Sequence, residues 1–172
     1  MECNIPSQLI HPLFFQASCS VEQNIGRNSN WIHELFPFEI MYYTNEKSDE
    51  PFPWQNPENY LKEIFSEWEC IQNKLNSLFA ERSNELDVKM KKGVSLLFKL
   101  LFWSNDKPVS LDSWQKSILE YSYKPVNVIE RLDFVIARPV AYPSFIQLNE
   151  LMNEQYKQGM KKIAIKKRRP PA

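Results

Sequence analysis

The sequence predicts a mainly α fold: a single-domain irregular helical bundle with a proline-rich N-terminal arm and a basic C-terminal tail. Three observations support this prediction. Apolar residues recur at helical spacing through most of the chain after residue 57. The 172 residues, of which 43% are hydrophobic, suffice for one sizeable core. Basic residues crowd the end of the chain, whereas prolines punctuate its beginning. We therefore expect an irregular arm packed on the domain (1–56), a helical core (57–160) and a basic tail (161–172).

The arm is predicted to be irregular because prolines interrupt its apolar segments. Residues 9–15, LIHPLFF, are a short apolar stretch broken by a proline, and residues 30–36 have the pattern of a short capped helix. The segment 38–43, FEIMYY, fits either a helix or a strand, since periodicity does not decide between the two. Residues 45–57 have the composition of a loop.

The helical core is predicted to begin at Asn56, a favourable N-cap, with Pro57 as the first helical residue. Its apolar stripe continues for about five turns, as far as Phe79. The next helix, over 84–103, is apolar on two sides in its second half, which predicts a central position. A shorter helix is expected over 110–121.

The segment 124–139, KPVNVIERLDFVIARP, is closed by prolines at both ends and predicts a helix over 128–137. One face of that helix is apolar and consists of Val128, Ile129, Leu132, Val135 and Ile136. Asn127 stands at the N-cap position, and Glu130 follows at the spacing of a capping box, with Asn in place of Ser or Thr.

A last helix is predicted from Ser144, which has the capping-box spacing to Gln147. Its apolar stripe ends at Ile163. The residues KKRRPPA, 166–172, are expected to fray, because prolines cannot continue a helix and the like charges repel.

The composition excludes several classes of function. Three isolated glycines cannot form a phosphate-binding loop, and three cysteines without a CxxC pair indicate neither a disulfide framework nor a zinc site. His11 and His33 have no second metal ligand nearby in the sequence. We therefore expect no catalytic residue, no metal, no cofactor and no enzymatic activity. A signal peptide and an apolar run of about 20 residues are both missing, so a cytoplasmic protein is expected.

The net charge of zero hides an uneven distribution. No acid follows Glu154, and the seven cations beyond it leave 14 basic against 21 acidic side chains in the rest of the chain. Six of these cations are the candidate anion-binding residues Lys161, Lys162, Lys166, Lys167, Arg168 and Arg169. Such a cluster attracts phosphate or anionic lipid. Contact with a membrane surface is not expected, because the segment is short and has no aromatic anchor. The alternative is a solubilising tail.

A second candidate surface is the other stripe of the 128–137 helix, where Arg131, Phe134 and Arg138 follow one another at helical spacing. Two arginines beside an aromatic ring suit planar or anionic groups. The alternative is that both arginines pair with acids of neighbouring helices while Phe134 packs on the arm. We favour this alternative, because structural ion pairs are common in helical domains.

The order of several segments resembles the YpoC-like family of Bacillus and related Gram-positive bacteria. These segments are HPLFF, PWQNPENYLKEIFSEWE, LLFKLLFWSN, KPVNVIERLDFV and QLNELMNEQYK. The resemblance extends from about His11 to Lys157 and implies a helical domain, but no activity and no catalytic residues. Genes of this family often lie near genes for DNA replication initiation and repair, which favours a role in nucleic-acid processing.

The predicted function is a non-enzymatic binding or adaptor protein, associated through the basic tail with nucleic acid or with a protein of the DNA replication or repair machinery. The alternative is a protein–protein interaction module that binds its partner through the N-terminal half and has no contact with nucleic acid. In that case the tail only increases solubility.

Overall fold

A computed structural model describes residues 5–14 and 34–169, and every regular element in these two ranges is helical. A short 3₁₀ turn at Ser7–Leu9 precedes the α-helices. These are α1 (Pro37–Tyr43), α2 (Glu58–Glu81), α3 (Leu86–Ser104), α4 (Trp114–Leu119), α5 (Val128–Ala137) and α6 (Tyr142–Arg168). The predicted fold class, a mainly α single-domain helical bundle, is confirmed.

Helix α3 forms the centre of the bundle. Every residue from Gly93 to Ser104 is buried, as expected for a helix that is apolar on two sides. Helices α2 and α6 pack against it and against each other, and α5 covers α6. The core therefore lies around α3.

Two glycines allow the three long helices to approach closely. Gly93 of α3 lies against Trp68 of α2 and Leu148 of α6, and Gly159 of α6 lies against Ser104 and Leu61. These contacts show that α6 runs parallel to α3, whereas α2 runs antiparallel to both. As a result, the start of α2, the end of α3 and the end of α6 meet at one end of the bundle.

The N-terminal arm packs on the core where the structure describes it. The backbone N–H of Leu111 donates to the Gln8 carbonyl at 2.6 Å, and Leu9 and Leu13 are buried. The segment 38–43 is helical, which decides between the two predicted alternatives. Pro37 occupies the first turn of α1, where its fixed φ and missing N–H favour a helix start. The short helix predicted over 30–36 lies mostly outside the described residues.

The predicted helix starts need correction. The capping box of α5 is wrong: Asn127 stands at the N-cap in a left-handed conformation (φ 54°, ψ 32°), and its side chain makes no capping hydrogen bond. Asparagine tolerates this conformation, in which the Asn127 carbonyl accepts from the N–H of Arg131 at 3.1 Å. Glu130 therefore has no capping partner. The capping box at Ser144 is also wrong, because α6 begins at Tyr142 and Ser144 is buried in its first turn.

The predicted fraying of the basic tail is contradicted for the described residues. Helix α6 continues to Arg168, two turns beyond the expected end of the core at residue 160. The first helix of the core starts at Glu58, with Pro57 as its N-cap residue. The prediction for Pro170 and Pro171 lies outside the described residues. The basic segment is therefore largely a continuation of the longest helix.

Candidate functional site

The basic end of α6 divides into paired and unpaired cations. Lys162 donates to the Ser104 carbonyl at 2.8 Å and forms an ion pair with Asp106, and its ammonium lies 5.7 Å from the Tyr123 ring centroid. Lys167 bonds Glu58 Oε1 at 2.8 Å. These contacts join the end of α6 to the end of α3 and the start of α2. They explain why the helix continues so far.

The remaining cations of this end have no such contact. Within residues 5–14 and 34–169, no carboxylate oxygen lies within 4.0 Å of the ammonium or guanidinium groups of Lys157, Lys161, Lys166, Arg168 or Arg169. All five side chains are exposed. Four of the six cations predicted from the sequence therefore have no ion pair among the described residues, and Lys157, whose charge contributes to lowering the pKa of Glu154, adds a fifth that the prediction left out.

An open groove of about 240 Å³ lies between the start of α2, the turn after α3 and the end of α6. Its charged lining consists of Glu58, Asp106, Lys162, Lys166 and Lys167. The hydrogen bond from Lys167, together with that from Lys62, lowers the pKa of Glu58 below its ordinary value. Because two carboxylates already neutralise two of its three lysines, the groove offers an anion little net positive charge.

Arg131 binds carboxylates of its own chain. Its guanidinium donates to both oxygens of Glu154, at 2.9 and 2.7 Å, and to the Val126 carbonyl at 3.1 Å. A second acid, Glu150, lies 3.8 Å from the Arg131 guanidinium. The hydrogen bonds from Arg131 lower the pKa of Glu154, and the same bonds raise the pKa of Arg131. For Arg131 the geometry therefore agrees with the favoured interpretation, in which the arginine pairs with an acid of a neighbouring helix. This side chain joins α5 to α6.

Phe134 and Arg138 do not join Arg131 in one site. Phe134 is 49% exposed and has no aromatic ring contact among the described residues. Arg138 ends α5, is exposed, and has no ion pair in the same part of the chain. The three residues therefore have separate environments, and the predicted pairing of Arg138 with an acid is not found in the described ranges.

A buried cluster of charged residues was missed from the sequence. Glu39 of α1 is fully buried, and its Oε1 accepts from Trp103 Nε1 at 2.7 Å and from the Val109 N–H at 3.2 Å. Among the residues that the structure describes, its Oε2 has no hydrogen-bond partner. Lys99 of α3 lies nearby, 7% exposed, with its ammonium 5.8 Å from the centroid of the Trp103 ring.

Burial controls the ionisation of this cluster. It raises the pKa of Glu39, against the opposing influence of Lys99, and it lowers the pKa of Lys99 to about 8. A signal existed in the sequence: Lys99 interrupts a ten-residue apolar run that is apolar on both sides, and Glu39 stands inside FEIMYY. A charge in such a position must be buried and needs a partner. The cluster fixes α1 on α3, and the near-complete burial of both side chains separates it from solvent.

The other candidate residues stay apart from one another. Among the described residues, no group of three or more His, Cys, Asp or Glu is arranged to hold a metal ion. Cys70 is a free, exposed thiol. His11 Nδ1 accepts from the Leu13 N–H at 3.1 Å, and burial lowers its pKa. His33 lies outside the described residues.

In the described part of the chain, no helix has the length and apolar character that crossing a membrane requires.

Comparison with known proteins gives a consistent result. The model of a family described as YpoC-like protein matches residues 58–167, which include α2 to α5 and nearly all of α6. A curated relative named Uncharacterized protein YpoC, from Bacillus subtilis (strain 168), is 35% identical over 116 residues, 66% of this chain and 70% of the relative. No solved structure matches the chain. The family match includes Lys161 to Lys167 and so extends beyond the end of the resemblance seen in the sequence. The chain belongs to the YpoC-like family.

Proposed function

We propose that this protein is a non-enzymatic, cytoplasmic binding or adaptor protein that contacts nucleic acid through the basic end of α6. The observation that supports the proposal is a set of five exposed cations that have no carboxylate partner within the described ranges, Lys157, Lys161, Lys166, Arg168 and Arg169. Unpaired cations between Lys157 and Arg169, at the end of one helix, create a local positive potential, which favours phosphate.

The charge of the rest of the chain increases the contrast between this positive end and the remaining surface. With no net charge overall, the positive end of α6 is balanced by an acidic body. A polyanion therefore meets attraction at one end of the bundle and repulsion elsewhere, and this difference orients the complex. Association with the DNA replication or repair machinery is the cellular role that such binding would serve.

The test is the fluorescence anisotropy of a labelled duplex at about 50 and 200 mM salt, a range over which phosphate contacts weaken strongly. We compare the unchanged chain with Lys157→Gln/Lys161→Gln. The matched control is Lys74→Gln/Lys116→Gln, which removes two exposed cations elsewhere that also lack a carboxylate within 4.0 Å in the part of the chain that the structure describes. Point variants are preferable to deleting residues 160–172, because the deletion also removes the contacts of Lys162 and Lys167.

Each lost phosphate contact is expected to reduce the slope of log affinity against log salt by about 0.9. The α6 variant should therefore lose about 2 from that slope, and the control should keep it. Binding that does not depend on salt, or no binding to the unchanged chain at the lower salt concentration, contradicts the proposal.

The alternative is a protein-interaction module without nucleic-acid contact. Three large apolar side chains that are exposed between the end of α4 and the middle of α5 favour it: Leu119 at 63%, Val126 at 77% and Phe134 at 49%. An identified protein partner that binds the unchanged chain and Lys157→Gln/Lys161→Gln equally well would support this alternative.

A further inference from the structure

We propose that one face of α6, defined by Lys157, Lys161 and Arg168 and here called the basic face, contacts the phosphate backbone of duplex nucleic acid without base stacking. This inference rests on the proposed function and adds the contact surface and the class of nucleic acid. It follows from where the free cations lie on the helix, from which neighbouring groups are already occupied, and from the absence of an exposed ring beside them in the described residues.

The three cations share one direction. At 100° per residue, the Cα positions of Lys157, Lys161 and Arg168 lie within about 40° of one another around the α6 axis. Eleven residues separate the first from the last, about 17 Å at 1.5 Å per residue. Over that length a duplex presents one phosphate charge per roughly 1.7 Å of its axis. The basic face is thus long enough to contact several phosphates.

The boundaries of this face are set by pairs within the chain. Toward the N-terminus, Glu154 lies one turn before Lys157 and is bound by Arg131, so the surface changes sign there. On the groove side, Asp106 and Glu58 bind Lys162 and Lys167. The acids of the groove neutralise two of its three lysines and leave Lys166 unpaired on that side, whereas three of the five unpaired cations share the basic face. The groove is therefore structural.

The aromatic rings near this end are engaged with other side chains. Tyr156 is stacked on Phe65 of α2 with ring centroids 4.2 Å apart and an interplanar angle of 8°. The face of Tyr123 receives the ammonium of Lys162. Proteins that bind single strands use free rings as stacking platforms for bases. Since both rings are occupied, contact with phosphates is what the basic face offers, and the doubled charge density of a duplex favours it over a single strand.

The same face does not suit a lipid surface. Its apolar member is Ala164, whereas Ile163 and Ile165 are partly buried. A helix that lies in a membrane interface needs large apolar side chains beside its cations. We therefore commit to nucleic acid, and binding to lipid is one of the outcomes that the experiment distinguishes.

The experiment compares two variants of the same helix end. Lys161→Gln/Arg168→Gln removes two cations from the basic face, and Lys162→Gln/Lys167→Gln removes two paired cations from the groove. Both lower the net charge by two, so an effect of total charge alone is equal in the two. We expect the first to reduce the salt slope for duplex binding by about 2 and the second to leave the slope within about 0.5 of the unchanged chain. Far-UV circular dichroism confirms that each variant keeps its helix content.

Three ligands are used with each variant: a duplex of about 20 base pairs, its single strand, and vesicles with about 30% anionic lipid. Tighter binding to the duplex, with equal affinity for a scrambled sequence, is the expected result. A preference for the single strand, equal slope losses in the two variants, or binding to vesicles alone overturns this inference. If neither nucleic acid binds at low salt, the proposed function fails as well. If both bind but the single strand is preferred, the proposed function stands and this inference fails.

Discussion

The two helix-contact glycines provide the sharpest test of the packing. A Cβ atom added at Gly93 would lie 2.6 Å from Cζ3 of Trp68 and 3.0 Å from Cδ2 of Leu148. A Cβ added at Gly159 would lie 2.6 Å from Oγ of Ser104 and 2.9 Å from Cδ1 of Leu61. The closest distances are equal, but the atoms that must move differ, and this difference predicts different stabilities.

At Gly93 the obstacle is a rigid ring. Trp68 is fully buried, and its Nε1 donates to Asn149 Oδ1 at 3.1 Å, so the ring cannot move without losing this bond. Overpacking of this kind costs about 1–3 kcal/mol, and we expect the upper end. Alanine in a helix interior gains about 1 kcal/mol over glycine. Gly93→Ala should therefore lower the free energy of unfolding by about 2 kcal/mol.

At Gly159 the obstacle is a hydroxyl that has no hydrogen-bond partner in the described structure. Rotating it away loses no bond, and the Leu61 methyl is the end of a flexible side chain. The overpacking cost should therefore roughly equal the gain of about 1 kcal/mol in helix propensity. In a Ser104→Ala background the Oγ is gone and the Ser104 Cβ, at 3.5 Å, is in ordinary contact distance. There Gly159→Ala should stabilise the protein, by up to about 1 kcal/mol.

The assay is urea denaturation followed by tryptophan fluorescence and far-UV circular dichroism, with thermal melts in parallel. A loss of about 2 kcal/mol lowers the Tm of a domain of this size by about 4–8 °C. Ser104→Ala is also combined with Gly93→Ala, where no rescue is expected. The reasoning is refuted if Gly159→Ala destabilises as much as Gly93→Ala, or if Ser104→Ala rescues both equally.

Three further predictions concern the buried and partly buried charges. Lys99, with its pKa lowered to about 8, loses its proton in the folded chain before it does in the unfolded one. Stability should therefore rise between about pH 8 and 10.5, and Lys99→Met should abolish that rise in urea titrations. Trp103→Phe removes a donor from the buried Glu39 and should lower the free energy of unfolding by about 1–3 kcal/mol, measured by circular dichroism. Arg131→Met should cost about 1 kcal/mol at pH 7 because the ion pair with Glu154 is partly exposed. Since Arg131 lowers the pKa of Glu154, this cost should shrink as the pH falls below about 4.5, and an unchanged cost would contradict it.

The helical core was predictable because local periodicity decides it. The two-sided apolar pattern of residues 94–103 placed α3 at the centre, and the structure buries this whole segment. The helix starts were less predictable. The side-chain pattern at Asn127 and Glu130 suits a capping box, but the chain enters α5 through a left-handed residue, which periodicity does not reveal. The same limit applies at Ser144, which the packing buries.

The partners of the charged residues could not be predicted, because they come from distant positions in the sequence. Glu39 and Trp103 are 64 residues apart, and Lys167 and Glu58 are 109 residues apart. Neither pair belongs to one local pattern. The sequence predictions singled out the cluster of cations at the end, but they missed the signal of a glutamate and a lysine inside apolar runs. The sequence did not show which of these charges the fold would neutralise.

This neutralisation connects the fold to the proposed function. If all the cations after Glu154 were free, the end of the chain would repel itself, and an irregular tail would be the expected form. Instead, Asp106 and Glu58 bind one lysine each and hold the last two turns of α6 on the bundle. The remaining cations are then displayed on a rigid helix, where their spacing is fixed before any partner arrives. A fixed array loses less conformational entropy on binding than a flexible tail. Glu58→Gln/Asp106→Asn removes both ion pairs that hold the end of α6 and raises the net charge by two. We expect the duplex affinity, measured by anisotropy at matched salt, to rise by less than this added charge predicts. An increase equal to or above that of two additional phosphate contacts would show that the helical array has no advantage over a flexible tail.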